Sequence, residues 1–179
     1  MPSSSTLATL LARNATYATT HTPIPTNTQI KTSSTPAYKT LIISCTDGRI
    51  SPDKFLDIQT PHEFLIHRNS GGRAKPALPN LLALDDLVTI ETVLVIGHTD
   101  CGARTFDEEM IRATLKQRAS GYEDVVASLE FGRIAGSVED SVKEDVKFIK
   151  ESPLVRDGLK DSIFGLVFDI KTGVLERVA

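Results

Sequence analysis

Short apolar runs recur along the chain after residue 38. The four clearest runs are rich in β-branched, leucine or aromatic residues and cover residues 41–43, 64–66, 92–96 and 164–168. Each is too short for a helix and is apolar at successive positions, which is typical of strands that are buried on both faces of a parallel sheet. The pattern therefore predicts four such strands.

Segments with helical character separate these runs. Ser51-Pro52-Asp53 is a helix-start signal, and residues 79–89 and 106–119 carry apolar residues at helical spacing. Residues 137–149 begin with a serine cap followed by acidic residues. The alternation of strands and helices predicts the α/β class, with a mostly parallel central sheet of four strands flanked by helices. A turn signal at residues 171–173 predicts one more strand in a C-terminal hairpin.

The first 38 residues differ in composition from the rest of the chain. Residues 1–40 contain sixteen Ser or Thr and no Asp or Glu. Residues 7–17 could form a helix, and residues 21–36 are predicted to be an extended connector rich in Pro and Thr. We therefore divide the chain into an N-terminal arm, residues 1–38, and a domain, residues 39–179.

Composition narrows the function classes. The net charge of −3, with no basic cluster, argues against nucleic-acid binding. No apolar run approaches the roughly 20 residues that span a membrane, and the N-terminus lacks the apolar segment of a secretory signal. We expect a cytoplasmic protein. The acid-free N-terminus also resembles a mitochondrial presequence, but Arg13 is the only arginine before residue 40, which favours an arm that lies on the domain or on a second subunit.

The two cysteines in the chain cannot build a disulfide framework, so metal binding or redox chemistry is the functional interpretation, and burial as small apolar residues is the alternative. Cys45 ends the first predicted strand, while His98 and Cys101 follow the third. Ligand sites of open parallel sheets lie at the carboxyl ends of the strands, so these side chains converge if the two strands are neighbours. Two thiolates and one imidazole suit Zn²⁺ and leave a fourth position for water, as in catalytic zinc sites.

Asp47 and Arg49 alternate with Cys45 along the chain, so an extended backbone would point them in the same direction. An aspartate beside an arginine stays ionised. The pair could orient a zinc-bound water or accept its proton, and the alternative is a structural ion pair at the end of a strand.

Taken together, these residues resemble the β-class carbonic anhydrases. That family has a Cys-x-Asp-x-Arg motif after its first strand and a His-x-x-Cys motif after its third, which correspond here to residues 45–49 and 98–101. Residues 68–72, Arg-Asn-Ser-Gly-Gly, resemble the Arg-Asn-Ala-Gly segment of the family, and residues 168–173 resemble its closing hairpin. The resemblance covers residues 39–179.

The resemblance implies one zinc ion per subunit, with Cys45, His98 and Cys101 as its ligands. It implies that zinc-bound hydroxide attacks CO₂ to give bicarbonate and a proton. It also implies a catalytic pair of Asp47 and Arg49, in which the aspartate either holds the zinc water or binds zinc in a closed state. A homodimer or homotetramer is expected, with active sites near the subunit interface.

The substrate pocket is expected at four residues: Gly48, Ser70, Gly71 and Gly72. Three features depart from the family pattern: glycine at position 48, serine at position 70, and the Lys-Pro-Ala-Leu-Pro sequence of residues 75–79, which is expected to alter one pocket wall. These departures leave the substrate open between CO₂ and its linear relatives carbonyl sulfide and carbon disulfide.

A catalytically silent zinc protein, with Asp47 as the fourth ligand, is a further alternative. A redox dithiol is less favoured, because the two cysteines are not in a Cys-x-x-Cys motif. His67 could carry protons to solvent, but burial with a hydrogen bond is the favoured interpretation, and His62 is expected to be a solvated loop residue.

Overall fold

The computed structural model describes residues 4–32, 39–60 and 63–179. These residues fall into two compact units, one within residues 1–35 and the other within residues 36–179. Where the structure describes the chain, no helix is long and apolar enough to cross a membrane.

The N-terminal unit contains helix α1, Ser4–Ala18, which confirms the helix expected around residues 7–17, and helix α2, Asn27–Thr32. The second helix contradicts the prediction of an extended connector over its length, and residues 33–36 of that connector lie outside the described residues. The cause is a capping box. The Thr26 backbone N–H donates to Gln29 Oε1 at 2.7 Å, and the Gln29 backbone N–H donates to Thr26 Oγ1 at 3.3 Å.

The second unit is built on a sheet of five strands within the described residues. Their bounds are β1 Thr40–Cys45, β2 Phe64–Asn69, β3 Thr92–His98, β4 Ile163–Phe168 and β5 Leu175–Arg177. The spatial order is β2-β1-β3-β4-β5, with parallel pairing from β2 to β4 and an antiparallel β4–β5 pair. This confirms the predicted sheet and its closing hairpin.

The strand order positions the site. The chain passes from β1 to β2 on one side and then crosses back to place β3 on the other side of β1. The carboxyl ends of β1 and β3 therefore lie at the point where the winding direction reverses, which is where open α/β sheets form ligand sites.

Helices flank the sheet. Their bounds are α3 Pro52–Phe55, α4 Ala74–Val88, α5 Glu108–Arg118, α6 Glu123–Ser128, α7 Val138–Glu151 and α8 Asp157–Lys160. Helix α7 presents Val138, Val142 and Val146 to strands β3 and β4, where glycines allow close approach. A Cβ atom on Gly165, for example, would lie 2.6 Å from Cγ1 of Val142.

Helix α4 begins five residues earlier than the expected start at residue 79. Its first backbone N–H, on Ala74, donates to the buried carboxylate of Asp145 at 3.1 Å. The side chain of Asn69 also holds Arg73 before the helix, accepting from the Arg73 N–H and donating to its carbonyl oxygen. Pro76 lies in the first turn, where its missing N–H removes no intrahelical bond.

Candidate metal centre and active site

The three predicted metal ligands come together at the carboxyl ends of β1 and β3. Cys45 is the last residue of β1, His98 is the last residue of β3, and Cys101 follows a tight turn. Because β1 and β3 are neighbours, the ligand atoms of all three residues lie within 4.8 Å of one another, and the three side chains are buried. The two Sγ atoms are 3.8 Å apart.

The imidazole of His98 is oriented for metal binding. Its Nδ1 atom lies 3.0 Å from the carbonyl oxygen of Thr99. A carbonyl oxygen only accepts, so Nδ1 carries the proton and Nε2 has a free lone pair. Nε2 is buried and has no hydrogen-bond partner among the described residues. A buried nitrogen without a partner is costly in an apolar setting, and a cation beside the two thiols would remove that cost.

The thiols favour a cation for a second reason. A hydrogen bond from Cys101 lowers the pKa of Cys45, and the same interaction, together with burial, raises the pKa of Cys101. The opposite directions reflect the fact that two adjacent buried thiolates repel each other, so the second thiol resists losing its proton. A dication among these atoms would stabilise both thiolates. The donor set of Cys45, His98 and Cys101 thus fits Zn²⁺.

Asp47 and Arg49 form the ion pair that their spacing predicted. The guanidinium Nε lies 3.1 Å from both carboxylate oxygens, and Nη2 lies 2.7 Å from Oδ2. This contact with Arg49 lowers the pKa of Asp47 to about 2. Oδ2 of Asp47 is 3.9 Å from Nε2 of His98, so the pair lies directly beside the candidate ligands.

Arg68 anchors the loop that carries Asp47 and Arg49. The resemblance of residues 68–72 to the family segment did not predict this role. Its Nε donates to the carbonyl oxygen of Cys45 at 2.9 Å, and its Nη2 donates to the carbonyl oxygens of Asp47 and Ile50. The loop after β1 is therefore anchored to the neighbouring strand β2.

A cavity of about 330 Å³ opens onto the site. Its lining residues are Cys45, Thr46, Asp47, Ser70, Gly71, Gly102, Ala103, Thr105 and Phe106. Five of these, at positions 46, 102, 103, 105 and 106, were not among the predicted site residues. Thr46 lies inside the Cys-x-Asp-x-Arg motif, and the other four follow Cys101 closely along the chain.

The four predicted pocket residues occupy different places. Ser70 and Gly71 line the cavity, whereas Gly48 lines a separate depression of about 290 Å³ with Arg49. Gly72 packs behind the site, and a Cβ atom on it would lie 2.9 Å from the backbone nitrogen of Cys45. Residues 75–79 form the first turns of α4 and are not among the residues that line the cavity.

His67 lies on β2, opposite Ile43 of β1. Its Nε2 atom is buried without a hydrogen-bond partner among the described residues, and burial lowers the pKa of the ring. The hydrogen bond that was expected for a buried His67 is therefore not made by Nε2 within the described residues. His62 lies outside the described residues.

Comparison with known proteins identifies the family. The carbonic anhydrase family model matches residues 40–175, a range that contains all three candidate ligands. β-Carbonic anhydrase 1 of Mycobacterium tuberculosis is 27% identical over 144 residues, which cover 80% of this chain and 83% of that protein. The chain belongs to the β-carbonic anhydrase family.

Two further similarities concern enzymes of different named activities. A carbonic anhydrase from Glaciozyma antarctica superimposes with a TM-score of 0.75 at 30% identity and covers 94% of this chain and 95% of that one. A carbon disulfide hydrolase from Acidianus sp. is 25% identical over 156 residues, covering 76% of this chain and 75% of that protein. The chain is thus similar to named enzymes of both kinds.

Proposed function

We propose that this protein hydrates CO₂ to bicarbonate and a proton, with one zinc ion held by Cys45, His98 and Cys101. The observation that carries the proposal is the buried Nε2 of His98, which has no hydrogen-bond partner among the described residues and lies beside two thiols, one of which, that of Cys45, lines a small cavity. Zinc held by three protein ligands lowers the pKa of a bound water from 15.7 to about 7 and so supplies hydroxide at neutral pH.

The chain's own residues would orient the nucleophile and give the cavity its apolar wall. Asp47 presents an ionised carboxylate to the cavity, and Arg49 fixes its direction with bonds to both oxygens. A carboxylate only accepts hydrogen bonds, so it would orient an O–H group of the nucleophile and leave the oxygen lone pair free for attack. Ala103 and Phe106 give the cavity an apolar wall, which suits a small uncharged linear molecule.

The open arrangement of the site favours an enzyme over a silent zinc protein. Among the described residues, Asp47 does not belong to the close group of donor atoms that could hold a metal, and its carboxylate is hydrogen-bonded by Arg49 instead. Three protein donors leave one tetrahedral position free for water or substrate.

Hydrolysis of carbonyl sulfide or carbon disulfide is the second candidate. The similarity to the carbon disulfide hydrolase of Acidianus sp. favours it, because that protein matches three quarters of this chain. The same nucleophile would attack the carbon of carbonyl sulfide, and the C–S bond would break to give CO₂ and hydrogen sulfide.

The decisive experiment compares both substrates on one preparation of measured zinc content. Stopped-flow CO₂ hydration above the buffer rate, with little hydrogen sulfide released from carbonyl sulfide, supports the anhydrase assignment. Preferential hydrogen sulfide release supports the hydrolase. Absence of both activities in protein with one zinc per chain supports the non-catalytic zinc protein. The Asp47→Asn variant is the matched control, because it keeps the metal ligands and the shape of the carboxyl group.

We also propose a homodimer or homotetramer and a cytoplasmic location, with mitochondria as the alternative that the N-terminal composition leaves open. Light scattering after size exclusion measures the assembly, and fluorescence microscopy of the full chain in its host cell measures the location.

A further inference from the structure

The guanidinium of Arg49 is shared between two loops. On one side it holds the carboxylate of Asp47, as described above. On the other side its Nη1 donates to Oδ2 of Asp100 at 2.7 Å, and its Nη2 donates to the carbonyl oxygen of Asp100 at 2.8 Å. Asp100 lies in the turn between His98 and Cys101, so Arg49 connects the loop after β1 to the turn that links two candidate ligands.

Asp100 is held in a backbone conformation that few residues adopt. Its φ is +56°, in the left-handed region, where aspartate, asparagine and glycine are tolerated better than other residues. Of these three, only aspartate adds a negative charge, and that charge meets Arg49.

The contact is too exposed to contribute much to folding. The side chain of Asp100 is 72% exposed and that of Arg49 is 50% exposed, and ion pairs in such positions add little to stability. The contact instead orients the side chains. Hydrogen bonds to Asp47 on one side and to Asp100 on the other hold the Arg49 guanidinium in one orientation, and this orientation in turn fixes that of the Asp47 carboxylate.

We propose that Asp100 is a positioning residue that acts through Arg49 to keep the Asp47 carboxylate beside the metal position without becoming a metal ligand. This inference rests on the proposed function, because it assigns a task to residues of that site. Without the Asp100 carboxylate, Arg49 loses its charged anchor on the ligand loop, and Asp47 can turn toward the metal and fill the fourth position.

The test uses cobalt(II)-substituted protein and azide as the probe. Azide changes the visible cobalt spectrum when it enters an open coordination position, so its apparent Kd reports whether that position is free. The variants are Asp100→Gly, which keeps the turn but removes the carboxylate, and Asp100→Asn, which keeps an acceptor without the charge. Asp157→Asn is the matched control, since Asp157 forms an exposed ion pair with Lys160 in α8.

We expect azide to bind about tenfold or more weakly to Asp100→Gly than to the control, and kcat for CO₂ to fall by about 10- to 100-fold with little change in KM. The azide affinity and kcat of Asp100→Asn should lie between those of Asp100→Gly and the control. A merely structural role of Asp100 in the turn would not produce this order. Azide binding and kcat equal to those of the Asp157→Asn control in both variants would overturn the proposal. Because the azide titration needs only the metal, wild-type protein without CO₂ turnover would refute the proposed function and leave this test decisive.

Discussion

Arg73 and Asp145 form an ion pair between the start of α4 and the middle of α7, with 2.8 Å between Nε and Oδ2. The carboxylate is almost completely buried, and its other oxygen accepts the first backbone N–H of α4. Arg73 also donates to the carbonyl oxygen of Arg133, in the segment that packs against Ser70 and Gly71. The pair thus links the packing of α4 on α7 to the wall of the cavity that Ser70 and Gly71 form.

Replacing Arg73 with methionine should destabilise the protein by about 3 kcal/mol at neutral pH, because it leaves a buried carboxylate without its cation. Guanidinium denaturation measures the loss. The double variant Arg73→Met/Asp145→Asn should recover part of it, since the unpaired charge is gone. Equal destabilisation of the single and double variants would contradict this account.

The loss of stability caused by Arg73→Met should become smaller as the pH falls. Burial raises the pKa of Asp145 in the folded protein, and Arg73 opposes that rise, so the variant has a still higher folded pKa. A carboxyl group with a raised folded pKa favours the folded state most when it is protonated. Stability is therefore retained below the unfolded value near 3.8 and lost as the pH rises through the folded pKa. Denaturation curves between pH 4 and neutrality check this sign, and a loss that does not depend on pH would refute it.

Gly165→Ala should destabilise the protein by about 1–3 kcal/mol, because the added methyl group would lie 2.6 Å from a methyl group of Val142 on α7. The Val142→Ala change makes room for it. We expect a favourable coupling energy of about 1 kcal/mol or more in the double-mutant cycle, measured by thermal or chemical denaturation. Strictly additive effects would show that α7 does not pack on β4 as described.

Replacement by alanine should destabilise the protein much more at Gly72 than at Gly48. A Cβ atom on Gly48 meets nothing within 4 Å, so Gly48→Ala should change stability by less than about 0.5 kcal/mol. Gly72 has φ +66° and lies against the backbone of Cys45 and Ser44, so Gly72→Ala should cost several times more and displace Cys45. Zinc content and denaturation midpoints of the two variants provide the comparison. Loss of zinc from Gly48→Ala would contradict the prediction.

Metal removal should lower the free energy of unfolding of the wild-type protein. A ligand that binds only the folded state stabilises it by about 2.7 kcal/mol at one hundred times its Kd. Adding zinc to chelated protein should therefore raise the Tm, whereas Cys101→Ser should show a much smaller rise. Zinc-dependent stabilisation of equal size in the variant would place the metal elsewhere.

The sequence was enough to predict the fold class, because the strands are short apolar runs whose pattern directly reflects burial on both faces. It also marked the candidate ligands, since Cys45 and His98 end two such runs and strand ends are where parallel sheets form sites. Helix α7 was predictable for a local reason. Ser137 caps it by accepting the N–H of Asp140, three residues away.

Other features depended on contacts between distant segments. The sequence alone does not determine that β1 and β3 are neighbours. This strand order is what brings the Sγ atoms of Cys45 and Cys101 to 3.8 Å from each other. Helix α4 begins early because Asp145, 71 residues further along, accepts its first N–H. The link between Arg49 and Asp100 spans 51 residues. Local patterns record burial and capping, whereas such pairings depend on strand order and register, so the tertiary structure alone decided them.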